Sequence, residues 1–260
     1  MNRLVRIASL IFLVAVPLIA GIPVQSMNES TLGVEYSGLT SGQLLDEDKG
    51  ESSIISHFFR LQYSPVSLLR FSLGVGSSRL GIESGEVDFC GEPGLAAMGG
   101  AALNLPRVHR LVSLTGGVES YYLSSVSGDL RSIAFMHTPF AGLIVHLSPY
   151  VDMELGGSYH ILDKQIKTDD RILNFRNSEQ MRFYGSLTLH DPLSGVYISG
   201  GVSSPGDFSD VVRDGSPYRS SAWIQFGIIL KQDKEFARTE REIRKYFSSH
   251  KQLKERDRRL

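Results

Sequence analysis

Apolar and polar side chains alternate with a period of two along most of this chain, and nothing between residues 28 and 231 shows the 3.6-residue period of an amphipathic helix. Along Met181–His190, the positions Met181, Phe183, Gly185, Leu187 and Leu189 oppose Arg182, Tyr184, Ser186, Thr188 and His190. The next segment sets Val196, Ile198, Gly200 and Val202 against Tyr197, Ser199, Gly201 and Ser203. Only Asp191–Ser194 lies between the two, which makes them a tight hairpin. Ala222–Leu230 and Val151–Ile161 repeat the alternation, Leu69–Val75 and Val112–Val118 share its parity, and Leu143, Val145 and Leu147 continue it. Further strands are predicted at about 31–38, 54–63, 94–105 and 132–147, which brings the total to ten. Pro139, which has no N–H to give to a ladder, is expected at a bulge or bend. Eight strands is the alternative if 31–38 or 94–105 is not one.

The connections suggest how the strands are joined. Short links near Ser64-Pro65, Pro106-Arg107, Ser148-Pro149 and Asp191–Ser194 alternate with long polar ones at about 39–53, 78–93, 124–131, 163–180 and 204–220. This is the rhythm of an up-and-down antiparallel barrel with tight turns at one end and loops at the other. An even strand count puts both termini at the turn end.

Upstream of the strands, Arg3 and Arg6 precede an uncharged apolar run, Ile7–Val24, interrupted by Pro17. The run is short of the roughly 20 apolar residues a membrane-spanning helix needs, so residues 1–26 are expected to be a signal peptide cleaved after Ser26. No cysteine follows the run, which argues against a lipid anchor.

Alternation alone does not separate a membrane barrel from a soluble carrier barrel with an apolar interior, so the argument turns on which polar residues are used. Soluble sheet surfaces are rich in Lys and Glu. Here the lysines are Lys49, Lys164, Lys167, Lys231, Lys234, Lys245, Lys251 and Lys254, and only Lys231 touches a predicted strand, at its end. The polar faces carry Ser, Thr, Gly and Tyr with scattered Arg, Glu and Asp, which suits a crowded lumen where opposite charges pair. On the apolar parity, Tyr36, Tyr63, Tyr122, Tyr159 and Phe183 fall near predicted strand ends, the positions of an interfacial aromatic girdle. The expected fold is therefore an all-β, up-and-down antiparallel transmembrane barrel over 27–231.

On these patterns, over about 28–231, the chain resembles the bacterial outer-membrane β-barrel proteins, especially the small OmpA-like and OmpW-like barrels. The resemblance implies residence in the cell outer membrane, contact with its lipid, and insertion by the outer-membrane assembly machinery. It also implies loops that face outward and turns that face the periplasm. One feature departs from the pattern: such chains commonly finish on a strand ending in an aromatic residue, whereas this one runs Phe226-Gly227-Ile228-Ile229-Leu230-Lys231 and continues.

The continuation, 232–260, has its own character. From Asp233 to Leu260, ten basic residues meet six acidic ones, a local charge of +4, among helix formers. Phe236, Ile243, Phe247 and Leu253 or His250 fall roughly along one side of a helix. A solvated helical tail is the plain reading. Contact with anionic lipid, cell wall or a periplasmic protein is the functional one.

By parity, Glu35, Arg60, Arg70, Glu119, Asp152, Glu154 and Arg182 point into the lumen, and so does His146. They either pair and fill a narrow barrel or select small solutes in a narrow pore. His160, Ser158 and Glu154 share one polar face at two- and four-residue spacing, the minimum set for acyl transfer, and are the catalytic candidates of a barrel hydrolase. Gly74-Val75-Gly76 lies within a strand and opens no helix, so it makes no dinucleotide site. Cys90 is the only cysteine and is placed in a loop, which excludes an internal disulfide and any multi-cysteine metal site. No cofactor or metal is expected, and the net charge of −1 points to no nucleic-acid partner. The expected role is structural or a narrow passive channel, with 78–93, 163–180 and 204–220 as the outer contact surface.

Overall fold

The computed structural model describes residues 31–44, 50–83, 88–109, 111–167, 171–176, 180–205 and 221–230. The expected signal peptide at 1–26 and the tail at 232–260 lie outside the described residues, as does most of 204–220.

The strands are β1 (Thr31–Leu44), β2 (Glu51–Val66), β3 (Leu69–Glu83), β4 (Asp88–Cys90), β5 (Glu92–His109) and β6 (Val112–Ser127), followed by β7 (Leu130–Ser148), β8 (Val151–Lys167), β9 (Ile172–Arg176), β10 (Gln180–His190), β11 (Val196–Pro205) and β12 (Ser221–Leu230). Each pairs antiparallel with its neighbour, β12 returns to β1, and β10 bonds β8. The sheet is therefore a closed barrel. Two of the twelve are pieces of barrel strands: β4 pairs with β3 just before β5 takes over that edge, and β9 pairs with β8 just before β10 does. The barrel has ten strands, and among the described residues the ladder closes on itself through β12–β1 and β8–β10, so each barrel strand has a partner on both sides over its membrane-level length.

Side-chain parity gives the barrel its orientation. In β2 the pattern is strict: Ser52, Ile54, Ser56, Phe58, Arg60, Gln62 and Ser64 are buried, whereas Ile55, Phe59, Leu61 and Tyr63 are exposed. Leu73, Val75, Leu95, Val202, Ile224 and Phe226 are likewise outward on other strands, Leu73 with 68% of its surface open. An apolar belt of this extent costs about 25 cal/mol per Å2 in water and nothing against hydrocarbon, so the barrel wall is one that faces lipid. A soluble carrier needs the opposite arrangement. Among the described residues there is no helix long and apolar enough to cross a membrane, which has no bearing on a barrel that crosses with strands.

Strand lengths differ around the wall. β11 and β12 have 10 residues each, about what a tilted strand needs to cross a bilayer, while β7 has 19 and β8 has 17. Along the extra length the outer face changes character. Arg131, Asp163, Gln165, Lys167 and Arg176 are exposed there, with Arg176 Nε donating to Asp163 Oδ1 at 2.9 Å. Arg79 and Glu83 do the same on β3. These segments rise past the lipid belt.

That rise corrects the expected loops. The stretches 39–53, 78–93, 124–131 and 163–180 are largely strand, and β6 and β7 are joined at the loop end by only Gly128-Asp129, with Ser127 opposite Leu130. Gly128 takes a φ of +57°, at the first central position of this two-residue hairpin, where glycine is favoured. Long and short connections thus do not alternate without exception. Above the membrane the outer face has no need of apolar residues, so the ladder continues after its hydropathy contrast has faded. Cys90 accordingly lies in β4 and not in a loop. Pro139 also differs from expectation. It sits opposite Val118, and its β7–β8 ladder is interrupted without a register change, the bulge falling instead between His146 and Ser148.

Candidate functional site

The lumen is filled by side chains, and it is filled differently at its two ends. Toward the loops it is an apolar core containing Ile54, Phe58, Leu80, Leu123, Met136 and Leu162, all essentially inaccessible. Toward the turns it is polar. Sequence parity had implied a polar lumen throughout.

The polar half is organised around Arg60 of β2. Its Nη1 lies 3.1 Å from Glu35 Oε1 on the adjacent β1, and its Nη2 donates to Glu119 Oε1 at 2.5 Å on β6, three strands away. Side chains of Arg60 and Glu35 are each 1% exposed. Glu35 further accepts from Gln62 Nε2 at 2.9 Å and from the hydroxyl of Tyr197, and Glu119 accepts from the hydroxyl of Tyr121. Arg70 is buried beside them and reaches Gln62 Oε1 at 3.5 Å. Two carboxylates and two guanidiniums balance, and several donors share each carboxylate, which is the condition for burying ions at tolerable cost.

A second crossing lies at the loop end. Lys164 of β8 donates from Nζ to Ser52 Oγ at 3.1 Å and to the Gly81 carbonyl at 2.8 Å. β8 and β2 are five strands apart in either direction round the ring, so this side chain spans the lumen. Its level is above the lipid belt, where the wall carries Asp163 and Arg176 outward. Burial among apolar neighbours pushes the ammonium down to about 7.

Of the catalytic candidates, Glu154 accepts from the Tyr184 hydroxyl at 2.5 Å, and Ser158 and His160 are buried farther along β8. Successive inward positions on a strand are about 7 Å apart, so the three form a column down the wall and do not converge. Gly142 and Gly156 make room here, since a Cβ on either would stand 2.4 Å from the Tyr184 ring or hydroxyl. Arg182 is buried on β10, with Nη1 donating to Ser221 Oγ at 2.6 Å and Nη2 to the Gly42 carbonyl.

A convergent group occurs elsewhere, on the turn-side rim. Ser113 Oγ lies 2.8 Å from His146 Nε2, and His146 Nδ1 lies 2.8 Å from Asp152 Oδ1. His190 Nε2 approaches the other carboxylate oxygen, Oδ2, at 3.3 Å. The four residues come from β6, β7, β8 and β10, which are consecutive in the wall. Hairpin geometry explains part of this: β7 and β8 turn back at Pro149-Tyr150, and the register places His146 directly opposite Asp152. His146 and Asp152 were both legible as inward-facing, but their pairing depends on the bulge beside the turn. Ser113 reaches His146 from a diagonal position, which no spacing along the chain reveals.

No protein-family model and no curated protein sequence matches the chain. Among solved structures, the chain is similar to the translocator domain of autotransporter NalP from Neisseria meningitidis, with 10% identity, a TM-score of 0.45, and coverage of 79% of this chain and 89% of that one. It is also similar to the outer membrane protease OmpT from Escherichia coli, with 8% identity, a TM-score of 0.39, and coverage of 80% and 96%. The CymD monoaromatic hydrocarbon channel follows, with 9% identity, a TM-score of 0.26, and coverage of 82% and 93%. What this barrel does has to be read from its own side chains.

Proposed function

We propose that the protein is an outer-membrane β-barrel with an occluded lumen, a structural element of the envelope and not a passive channel. The observation that carries this reading is the Glu35–Arg60–Glu119 bridge, which crosses the lumen with buried, oppositely charged groups paired to one another. A solute would have to break these ion pairs and then displace the apolar core above them. The lipid-facing belt and the closed sheet support the location, and the wall of β6, β7 and β8 that rises past the belt is the surface such an element offers to the exterior.

The test is fractionation of cells expressing the full chain, followed by planar-bilayer recording of the purified barrel. Recovery in the outer-membrane fraction with a band that shifts on boiling, and no unitary conductance, is the expected outcome. A stable single-channel conductance in the unsubstituted protein would overturn the occluded reading.

A further inference from the structure

We propose that Ser113, His146 and Asp152 form a nucleophilic site on the turn-side rim of the lumen, and that it acts on carboxylic esters. The ionised carboxylate of Asp152 accepts hydrogen bonds only, so the Nδ1 facing it at 2.8 Å carries the proton. That tautomer leaves Nε2 as an acceptor, and the atom beside it at 2.8 Å is the Ser113 hydroxyl. Serine, base and orienting carboxylate therefore stand in the relation that activates a serine oxygen. His190 Nε2 stands 3.3 Å from the second carboxylate oxygen, beside Asp152, which is the positioning residue of the group.

Access separates this group from the rest of the lumen. Ser113 is the second residue of β6 and Asp152 the second of β8, so both stand at the turn-side rim, where they keep 7% and 8% of their surface open. The side chains of His146 and His190 are 16% and 20% exposed, against 1% for Arg60 farther in. An acyl group can reach the rim without passing the ion cluster.

In the reaction, Ser113 Oγ bonds to the ester carbonyl carbon as its proton passes to His146 Nε2. The tetrahedral adduct collapses by breaking the bond to the alcohol oxygen, which takes the proton back from Nε2. Water then attacks the acyl-serine, gives its proton to the same nitrogen, and releases the carboxylic acid as Ser113 regains its hydrogen. The net change is ester plus water to acid plus alcohol. Every described element is a strand, so no helix N-terminus among the described residues stabilises the oxyanion. Turnover is expected to be slow, and covalent capture is the sensitive readout.

The experiment treats the folded full-length barrel in detergent with a fluorophosphonate probe and maps the adduct by mass spectrometry, with the heat-shifted band as the check on folding for each variant. Modification at Ser113 is expected, with loss in Ser113→Ala and at least a tenfold slower reaction in His146→Gln and Asp152→Asn. A merely structural hydrogen-bond row would leave Ser113 no more reactive than other serines, and that result would overturn the proposal. Hydrolysis of p-nitrophenyl acetate and p-nitrophenyl palmitate distinguishes the source of the ester. Faster loss of the acetate assigns a small water-soluble ester, and faster loss of the palmitate assigns a lipid ester. Rates in both that survive Ser113→Ala refute the site.

Discussion

Toward the turns, the lumen is held by Glu35, Arg60, Arg70 and Glu119; toward the loops, by Ile54, Phe58, Leu80, Leu123 and Met136. Both fillings are buried, yet they depend on different things. In the charged half each group is tolerable only because its partners are present, so the energy resides in complementarity and the loss of one member exposes the others. In the apolar half each side chain contributes its own transfer and contact energy, and neighbours partly relax around a loss. One wall of alternating strands thus supports a core that fails as a unit and a core that fails by degrees.

The sharpest break of that contrast is Arg60→Leu, which leaves two buried carboxylates without their shared cation. A loss of about 3–5 kcal/mol is expected, measured as the urea midpoint of the heat-shifted band in detergent. Restoring neutrality with Glu119→Gln in the same chain, which leaves Glu35 to balance Arg70, should recover much of it; no recovery would mean that the guanidinium acts by packing alone. Leu123→Ala, in the apolar half, should cost about 2–4 kcal/mol for one cavity, and its effect should largely add to that of Arg60→Leu, with Tyr121, which sits in the apolar cluster and donates to Glu119, as a link between the halves. Strong coupling between them would show that the lumen is one core.

Lys164 sharpens the comparison most gently, since it is a cation held within the apolar half. Its folded-state value of about 7 lies below the ordinary lysine range, so between about pH 7 and 10 the unfolded chain binds more protons than the folded one. Stability should therefore rise with pH across that window, and the penalty is fully present below it. Lys164→Met should flatten this dependence. The gain at neutral pH should be about 1 kcal/mol, because the hydrogen bonds to Ser52 and Gly81 are lost as the burial cost is relieved. A pH slope that persists in the variant would place its origin in another group.

Much of the barrel was legible in the chain, and the misses share a cause. The ten strands and the inward direction of Glu35, Arg60 and Asp152 follow from alternation, because a residue's face in a strand depends only on its parity. The strand extensions at 124–131 and 163–167 look like loops in the sequence, since alternation is visible only where the outer face meets lipid. The catalytic candidates His160, Ser158 and Glu154 share a face by spacing along one strand, where neighbours on a face are kept apart. Ser113, His146 and Asp152 meet because three different strands bring them to the same height.

By itself, then, the sequence determined the period, the number of barrel strands and which face each side chain takes. These are local properties of an extended backbone solvated by lipid on one side. Only the tertiary structure decided that Arg60 would find Glu119 across the lumen, that Lys164 would reach β2, and that a serine would stand beside a histidine and an aspartate on the rim. Those partners are fixed by the register and stagger with which the sheet closes on itself, and no single strand carries that information.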